Sequence, residues 1–225
     1  MMRDWWGPAC YDWALAASEA RGLAARRRWL VGSASGRVVE IGAGTGLNLR
    51  HYRPERVTSL VALEPDAAMG QRLLGRAATL RVPFEWQPVA VEEADLPDGG
   101  FDTAVVTLTL CTVADPVAAV AAIWRWLVPG GRLLFIEHVA ARGARGLLQR
   151  AANPLWSPVA GGCDLHRDTL ATLREAGMSV SDCDRFALPA AGPLLAACVA
   201  GVAWRPPIGE PDPAMSVLAP WGAAW

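Results

Sequence analysis

The chain has 225 residues, 52% of them hydrophobic, with 21 basic and 22 acidic side chains and a formal net charge of −1. This length and apolar content predict one globular domain with a full core, and the balanced charge argues against a nucleic acid partner. The sequence contains no lysine, which excludes chemistry that needs a P-loop lysine or a Schiff-base lysine.

The cysteines are widely spaced and include no CxxC pair. This spacing argues against a disulfide framework and suits a reducing compartment, so we expect a cytoplasmic protein. The N-terminus lacks the apolar core and the small-residue cleavage site of a signal peptide. The uncharged stretch 186–204 holds two prolines and two glycines, and we interpret it as two buried strands around a turn rather than a membrane-spanning helix.

Helical and extended patterns alternate along the chain. An N-terminal helix is predicted over 11–30, where apolar residues recur at helical spacing up to the basic stretch ARRRW. Further helices are predicted over 46–52, 66–80, 115–131 and 166–176. Short apolar runs rich in β-branched residues predict strands over 37–41, 58–64, 83–91, 101–110, 131–139, 178–188 and 194–204. The stretch 140–165 is expected to be a loop-rich insert, and 205–225 a proline-rich, irregular tail.

This alternation predicts an α/β fold, with a mostly parallel sheet, helices on both faces and right-handed crossovers. We expect residues 1–204 to form a single domain. Ligands of such a sheet bind beyond the carboxyl ends of its strands. Functional residues are therefore expected in the loops that follow the strands.

The first strand runs into the stretch VVEIGAGTGLNLR, residues 38–50. Its three glycines do not have the G-x-G-x-x-G spacing of dinucleotide-binding loops, because Leu47 takes the place of the third glycine. The spacing therefore argues against a nicotinamide cofactor.

Two glutamates indicate a different ligand. Glu40 stands just before the glycine loop, where a carboxylate would disfavour a diphosphate and favour a cation. Glu64 ends the next strand, where a carboxylate can accept hydrogen bonds from both ribose hydroxyls. S-adenosylmethionine (SAM) carries an ammonium and a sulfonium but no phosphate. The loop and the two carboxylates therefore predict a SAM site.

The motif from Glu40 to Gly46 resembles the first motif of the class I SAM-dependent methyltransferases, and the stretches LPDGGFDTAVV (96–106) and WLVPGGRLLFIEH (126–138) resemble others common in that superfamily. Four further stretches are similar to the branch that contains the microsomal alkyl thiol S-methyltransferases and their bacterial relatives: TLTLCTV (107–113), EHV (137–139), NPLW (153–156) and GGCDLHRDTL (161–170). The resemblance covers roughly 11–204. It implies a Rossmann-like seven-stranded sheet of order 3-2-1-4-5-7-6 with the last strand antiparallel, and an N-terminal helical lid over about 1–35.

The resemblance also implies site residues. Tyr11 and the glycine loop would surround the methionine part of SAM, Glu64 the ribose, and Val91 and Glu92 the adenine, whereas Ala90 stands where many members carry an acid. The implied cofactor contacts are Tyr11, Glu40, Gly42, Ala43, Gly44, Gly46, Asn48, Glu64, Pro65, Val91, Glu92, Thr107 and Leu108. The implied acceptor pocket contains Trp5, Trp6, Cys111, His138, Trp156 and His166.

Methyl transfer from a sulfonium depends chiefly on positioning, so no side chain need act as an acid or base. His138 ends the fifth strand and is the candidate to accept or relay a thiol proton, but a hydrogen-bonded structural histidine is an equal alternative. Cys111 is expected to line the pocket rather than react. Asp164 or His166 is expected near a helix cap. Because Cys163, Asp164 and His166 lack the further ligands of a zinc site, no metal is predicted.

The leading hypothesis is methylation of a small, largely apolar acceptor, preferably a thiol, beneath an aromatic lid that includes Trp5, Trp6 and Trp13. N-methylation of a phospholipid head group, O-methylation of a secondary metabolite and SAM binding without catalysis stay open. Peripheral membrane contact and a monomeric or homodimeric state also stay open. Trp124 and Trp126 cannot share a helix face, so one of them is a candidate for an exposed contact.

Overall fold

The computed structural model of the protein describes residues 7–192 and 194–207. Seven strands form one sheet: β1 Gly36–Ile41, β2 Val57–Leu63, β3 Phe84–Gln87, β4 Phe101–Thr107, β5 Leu127–His138, β6 Ser179–Ala187 and β7 Ala197–Trp204. Their order is β3-β2-β1-β4-β5-β7-β6. Strands β1 to β5 pair in parallel, and β7 runs antiparallel to both β5 and β6. The predicted fold class, the strand order and the antiparallel last strand are confirmed.

Within the described residues, six α-helices pack around this sheet: α1 Pro8–Ser18, α2 Ala24–Val31, α3 Ala67–Ala77, α4 Pro116–Trp126, α5 Ala144–Val159 and α6 Thr169–Glu175. A π-helical segment, Glu19–Leu23, joins α1 to α2, and a 3-10 turn, Leu49–His51, follows the glycine loop. Aspartates cap α3 and α4. Asp66 accepts from the Met69 amide at 2.8 Å, and Asp115 accepts from the two amides of the first turn of α4.

The two predicted helices nearest the glycine loop need correction. The helix predicted over 11–30 is broken at Gly22, whose φ of 133° is outside the helical region. The helix predicted over 46–52 is reduced to the 3-10 turn, because Gly46 starts the segment with a left-handed φ of 83°.

Several boundaries in the middle of the chain also differ from the prediction. The helix predicted over 115–131 ends at Trp126, and β5 begins at Leu127, because the proline at 129 disfavours helical backbone in the residue before it. Strands β3 and β4 end at Gln87 and Thr107, short of the predicted 91 and 110.

The stretch 140–165 is not a loop-rich insert, because most of it forms α5. The sequence did not predict this helix because it contains two internal prolines, Pro154 and Pro158. The next helix, α6, is capped by Asp168, whose Oδ1 accepts from the Ala171 amide at 3.1 Å. The expectation that Asp164 or His166 serves as the cap is therefore wrong.

Apolar side chains fill both faces of the sheet. On one face, Phe135 of β5 packs in one buried cluster with Trp126 of α4 and Leu173 of α6. On the other, Val38 of β1 packs in one buried cluster with Leu30 of α2 and Leu73 of α3. Helices thus cover both sides of the core, as the parallel sheet requires.

The predicted exposed tryptophan of α4 is not found. Trp126 lies in the core, and Trp124 is half-buried beneath the guanidinium of Arg205, 4.0 Å from the ring centroid. Trp124 and Trp126 do lie on different faces, but neither offers an open aromatic surface.

No helix within 7–192 or 194–207 combines the length and the apolar character needed to cross a bilayer. The stretch 186–204 ends β6, turns and forms β7, so the interpretation as two strands is confirmed. Strand β7 is buried, whereas β6 lies at the sheet edge and is partly exposed, which corrects the expectation that both strands are buried.

Two glycines of α3 make a matched pair for testing this packing. A methyl group on Gly70 would overlap the indole of Trp86, whereas one on Gly75 would meet nothing within 4 Å. Gly75→Ala should raise the free energy of unfolding by about 1 kcal/mol, because alanine is the better helix former. Gly70→Ala should lower it by about 1–3 kcal/mol, because Trp86 must shift. Urea denaturation measures both changes, and equal stabilisation by the two substitutions would contradict this packing.

Candidate active site

The loop after β1 is shaped by its glycines. Gly42, Gly44 and Gly46 all have left-handed backbone, with φ of 64°, 57° and 83°. A side chain at Gly42 would also collide with the side chain of Thr109, in the loop after β4. The loop therefore needs glycine for its conformation and for its close approach to the neighbouring loop.

Glu64 holds this loop from the end of β2. Its Oε2 accepts from the Gly44 amide at 2.8 Å, and its Oε1 accepts from the Asp66 amide at 2.9 Å. Its backbone carbonyl accepts from the indole N–H of Trp86 at 3.0 Å. The carboxylate predicted for the ribose thus lies at the glycine loop and is fixed from both sides.

Glu40 is almost fully buried beneath the same loop. It accepts hydrogen bonds from Asn48 Nδ2 at 2.9 Å and from the Tyr52 hydroxyl at 2.8 Å. Burial raises the pKa of Glu40 to about 7, although the hydrogen bonds from Tyr52 and Asn48 and the charge of Arg27 oppose this rise. The site thus contains a carboxylate that a nearby cation would stabilise.

Arg27 is a site residue that the sequence interpretation missed. Its buried guanidinium donates from Nε to Glu19 Oε1 at 2.8 Å, and from Nη1 to Asn48 Oδ1 at 2.9 Å and Thr107 Oγ1 at 2.8 Å. The basic stretch of α2 indicated only a helix C-terminus. The sequence feature that could have identified Arg27 as buried is its helical spacing, because Leu23, Arg27 and Leu30 fall on one buried face.

A small cavity opens between α2 and the carboxyl ends of β1 and β4. Residues from the N-terminal helices, the glycine loop and β4 line it: Tyr11, Arg27, Gly42, Ala43, Thr45, Leu47 and Thr107. The predicted contacts Tyr11, Gly42, Ala43 and Thr107 therefore meet at one place. Burial raises the pKa of Tyr11 to about 12, so this phenol stays protonated.

Helix α1 is tied over this cavity by Asp12. The carboxylate accepts from Thr45 Oγ1 at 2.6 Å and pairs with Arg72 Nε at 2.9 Å and Arg76 Nη2 at 2.7 Å. These contacts join the N-terminal segment to the glycine loop and to α3. Trp5 and Trp6, expected in the lid, lie outside the described residues.

The two residues expected near adenine, Val91 and Glu92, make different kinds of contact. The side chain of Val91 packs in the core. Glu92 accepts from the Ala114 and Asp115 amides at 3.1 and 3.3 Å, at the start of α4. Pro65, which follows Glu64, is exposed.

The loop after β4 is held by Glu137, a second residue that the sequence interpretation missed. Leu108 has a left-handed φ of 58°, and the next three amides point at this carboxylate. Glu137 Oε1 accepts from Thr109 and Leu110 at 2.8 and 3.0 Å, and its Oε2 accepts from Cys111 at 3.2 Å. Burial nevertheless raises the pKa of Glu137 to about 7.

A buried apolar cluster lies directly beyond this loop. Cys111, Cys163 and Leu165 form its core, and Trp156 of α5 packs against them together with Ala160, Leu194 and Leu195. The Asp164 amide donates to the Cys111 carbonyl at 2.7 Å, which joins the two cysteine loops. The structure thus brings Cys111 and Trp156, two residues of the implied acceptor pocket, into one cluster.

His138 lies beside this cluster at the end of β5. Its Nδ1 lies 3.8 Å from Cys163 Sγ, and across the β5–β7 ladder it pairs with Cys198. The neighbouring Cys111 thiol lowers the pKa of Cys163, and His138 reinforces this effect. Burial alone would lower the pKa of His138, but its interactions with the sulfurs of Cys163 and Cys198 outweigh burial and raise it.

His166 makes a different contact from the one expected of a pocket residue. Its Nδ1 lies 3.4 Å from Asp164 Oδ1, in the turn before α6. Cys163, Asp164 and His166 were considered from the sequence as possible metal ligands. The fold does not form this group around Cys163. Cys111 and His138 surround its sulfur instead, and the potential ligand atoms of these three residues all lie within 4.8 Å of one another.

Comparison with known proteins agrees with this geometry. A family model described as a methyltransferase domain matches residues 16–178. Thiol S-methyltransferase TMT1B of Homo sapiens is 36% identical over 176 residues, which cover 75% of this chain and 70% of the relative. TMT1B of Rattus norvegicus is 34% identical over 147 residues, 63% of this chain, and this chain spans 59% of its length. A solved geranyl diphosphate methyltransferase in complex with SAM has a TM-score of 0.67 at 15% identity over 87% of this chain and 90% of its own, which shows a shared fold.

The family match and the human relative each extend over well over half of the chain. The sheet order and the glycine loop that follows β1 are those that the resemblance implied. The cofactor is accordingly SAM, and the chain belongs to the class I SAM-dependent methyltransferases.

Proposed function

We propose that this methyltransferase acts on the sulfur of a small, largely apolar thiol. The observation that carries the proposal is the buried cluster of Cys111, His138, Trp156 and Cys163, which would form the acceptor pocket. Each of the four stretches that resemble the thiol branch contributes one of these residues. The names of the human and rat relatives point to the same acceptor.

The cluster lies near the cavity at the glycine loop. Thr109 packs on Gly42 of the glycine loop, and Cys111 follows two residues later. Cys111 and Glu64 both lie close enough to Tyr11 to raise its pKa electrostatically. An acceptor held against Cys111 would therefore lie next to the cofactor.

The pocket suits a thiol for chemical reasons. When bound, SAM supplies an electrophilic methyl group on a positively charged sulfur. A free thiol has a pKa of about 8.5, and only its thiolate is a strong nucleophile. The adjacent positive charge favours the thiolate, and apolar walls such as Leu165 and Trp156 would hold an alkyl or aryl group and exclude water.

For the cofactor we propose contacts that match its charges. Arg27 would bind the carboxylate of the methionine part, and Glu40 would favour its ammonium. Glu64 would accept hydrogen bonds from the ribose hydroxyls, and Tyr11 would cover the methionine part from α1. Tyr11 and Arg27 line the cavity, and Glu40 and Glu64 are hydrogen-bonded to Asn48 and to the glycine loop beside it.

We further propose that α5 contacts a membrane surface. Leu147, Leu148, Leu155 and Val159 recur at helical spacing and are exposed, Leu155 by 81%. The stretch 139–163 carries three arginines and no acidic residue, which suits an anionic lipid surface. Trp156 of the same helix reaches the pocket, so this contact would bring an apolar acceptor near the site.

The acceptor is tested with molecules that share one carbon skeleton. The purified enzyme is incubated with SAM and hexanethiol, hexylamine or hexanol, and in parallel with thiophenol, aniline or phenol. Formation of S-adenosylhomocysteine, measured by mass spectrometry, should be at least about tenfold faster with each thiol, because the thiolate is the strongest nucleophile.

Turnover with the amines or with phenol but not with the thiols would refute the thiol proposal and favour N- or O-methylation. SAM binding in calorimetry without turnover on any acceptor would favour a protein that binds SAM without catalysis.

Glu40→Gln should change stability and cofactor affinity in opposite directions. Folding raises the pKa of Glu40 from 4.5 to about 7, so its ionisation disfavours the fold. This cost is absent below pH 4.5, grows as the pH rises to 7 and then stays near 3 kcal/mol, at about 1.4 kcal/mol per pKa unit. The variant should therefore gain stability relative to the wild type between pH 5 and pH 8, measured by urea unfolding, while SAM affinity at pH 8 falls about tenfold.

Glu93→Gln is the matched control, because Glu93 is exposed and outside the crevice. It should change neither quantity. A Glu40→Gln variant whose stability relative to the wild type is the same at pH 5 and pH 8 would contradict the assigned cost.

Membrane contact is tested by flotation with phosphatidylcholine vesicles, with and without phosphatidylglycerol. The protein should float with the anionic vesicles and dissociate at high salt, because arginine contacts are screened. A Leu147→Glu/Leu155→Glu variant should stay unbound, whereas Leu74→Glu, at an exposed position of α3, should still float. The role of α5 would be refuted if the double substitution left flotation unchanged. It would also be refuted if light scattering showed that the wild type is a dimer and that the double variant is not.

A further inference from the structure

Three side chains that soft metal ions prefer meet in the acceptor pocket. Cys111 comes from the loop after β4, His138 from the end of β5 and Cys163 from the segment after α5. Their potential ligand atoms all lie within 4.8 Å of one another, and Cys163 Sγ lies 3.8 Å from His138 Nδ1. Side chains from three separate segments thus converge on one point.

These separations are close to those around a bound zinc ion. Zinc–sulfur bonds of about 2.3 Å and zinc–nitrogen bonds of about 2.0 Å, in a tetrahedral arrangement, place sulfur and nitrogen about 3.5 Å apart and two sulfurs about 3.8 Å apart. The three ligand atoms would each need to move by less than about 1 Å to reach this geometry.

The backbone around the three residues is already fixed. Glu137 accepts from the Cys111 amide, and the Asp164 amide donates to the Cys111 carbonyl, so the two cysteine segments are joined. His138 is held in the ladder between β5 and β7. Ligands fixed by their own hydrogen bonds can bind a metal without folding around it.

We propose that Cys111, His138 and Cys163 bind a zinc ion and that the acceptor thiolate takes the fourth coordination position. Two thiolates and one imidazole form a ligand set that zinc binds well, and three protein ligands with one open position are typical of catalytic rather than structural zinc sites. The role of the open position rests on the proposed thiol acceptor.

The chemistry of this site balances without an oxidant or a reductant. On coordination the thiol R–S–H loses its proton to solvent and becomes a zinc-bound thiolate. A lone pair of that sulfur then forms the bond to the methyl carbon as the carbon–sulfonium bond breaks, giving R–S–CH₃ and S-adenosylhomocysteine. The neutral thioether is a weaker ligand and leaves the ion. His138 is in this arrangement a metal ligand, and deprotonation needs no histidine base.

The test begins with metal binding rather than activity. Protein stripped of metal by a chelator under reducing conditions is titrated with Co²⁺, whose tetrahedral complexes have intense visible bands and whose thiolate complexes have charge-transfer bands. One equivalent should produce both sets of bands, and Zn²⁺ should displace the Co²⁺. Elemental analysis should find one zinc per chain after reconstitution.

Substitutions of the ligands identify the site. Cys111→Ser and Cys163→Ser should each weaken Co²⁺ binding by at least about 100-fold, a loss beyond that of an outer-shell partner. Cys183→Ser, on β6 and outside the pocket, is the matched control and should bind Co²⁺ like the wild type. SAM affinity, measured by calorimetry, should be retained in all three variants, which separates loss of a ligand from loss of the fold.

The open position is tested by adding hexanethiol to the Co²⁺-loaded protein. A further thiolate charge-transfer band should appear, and removal of the metal should lower thiol methylation at least tenfold, with recovery on adding Zn²⁺. Stoichiometric metal binding in a protein that methylates only amines would keep the metal site and refute the thiol acceptor. Full thiol methylation by the metal-free protein, no stoichiometric Co²⁺ binding, or a Cys111–Cys163 disulfide that survives reductant would overturn the metal proposal.

Discussion

Three buried glutamates at the carboxyl ends of parallel strands hold the glycine loop and the loop after β4. Glu64, after β2, accepts from the glycine loop and from the start of α3. Glu137, near the end of β5, accepts three amides of the loop after β4. Glu40, near the end of β1, accepts from Asn48 and Tyr52. The parallel sheet places these carboxylates at one edge, and each fixes a loop that would otherwise have unpaired amides or side chains.

This arrangement also sets the electrostatics of the site. Burial raises the pKa of Glu40 and of Glu137 to about 7, so the fold holds carboxylates whose charge it only partly compensates. Arg27 is the buried cation between the N-terminal helices and the end of β4. A cofactor with a sulfonium, an ammonium and a carboxylate suits this pattern better than a diphosphate would. The buried carboxylates thus both lower the stability of the fold and raise its affinity for a cationic ligand.

Features of the site that depend on one short stretch of chain could be predicted from the sequence. The glycine loop, Glu40 and Glu64 could be predicted because strand, turn and carboxylate follow one another within a short segment. Helix α5 could not, because its two prolines argue against a helix and the contacts that stabilise it are long-range, such as packing of Trp156 on the cluster and hydrogen bonds of Gln149 and Asn153. Arg27 could not be assigned to the site, because its partners Asn48 and Thr107 are brought to it by the order of the strands.

The pocket beyond β4 and β5 illustrates the same limit at longer range. Cys111 and Cys163 are far apart in sequence, and neither spacing nor flanking residues indicates that they meet. They meet because Glu137 turns the loop after β4 toward β5, while α5 carries the chain back across the sheet edge to the Cys111 carbonyl. The same α5 turns its leucines outward and Trp156 inward. Helix α5, which could not be predicted from the sequence, therefore determines both which residues the pocket contains and which surface of the protein lies next to it.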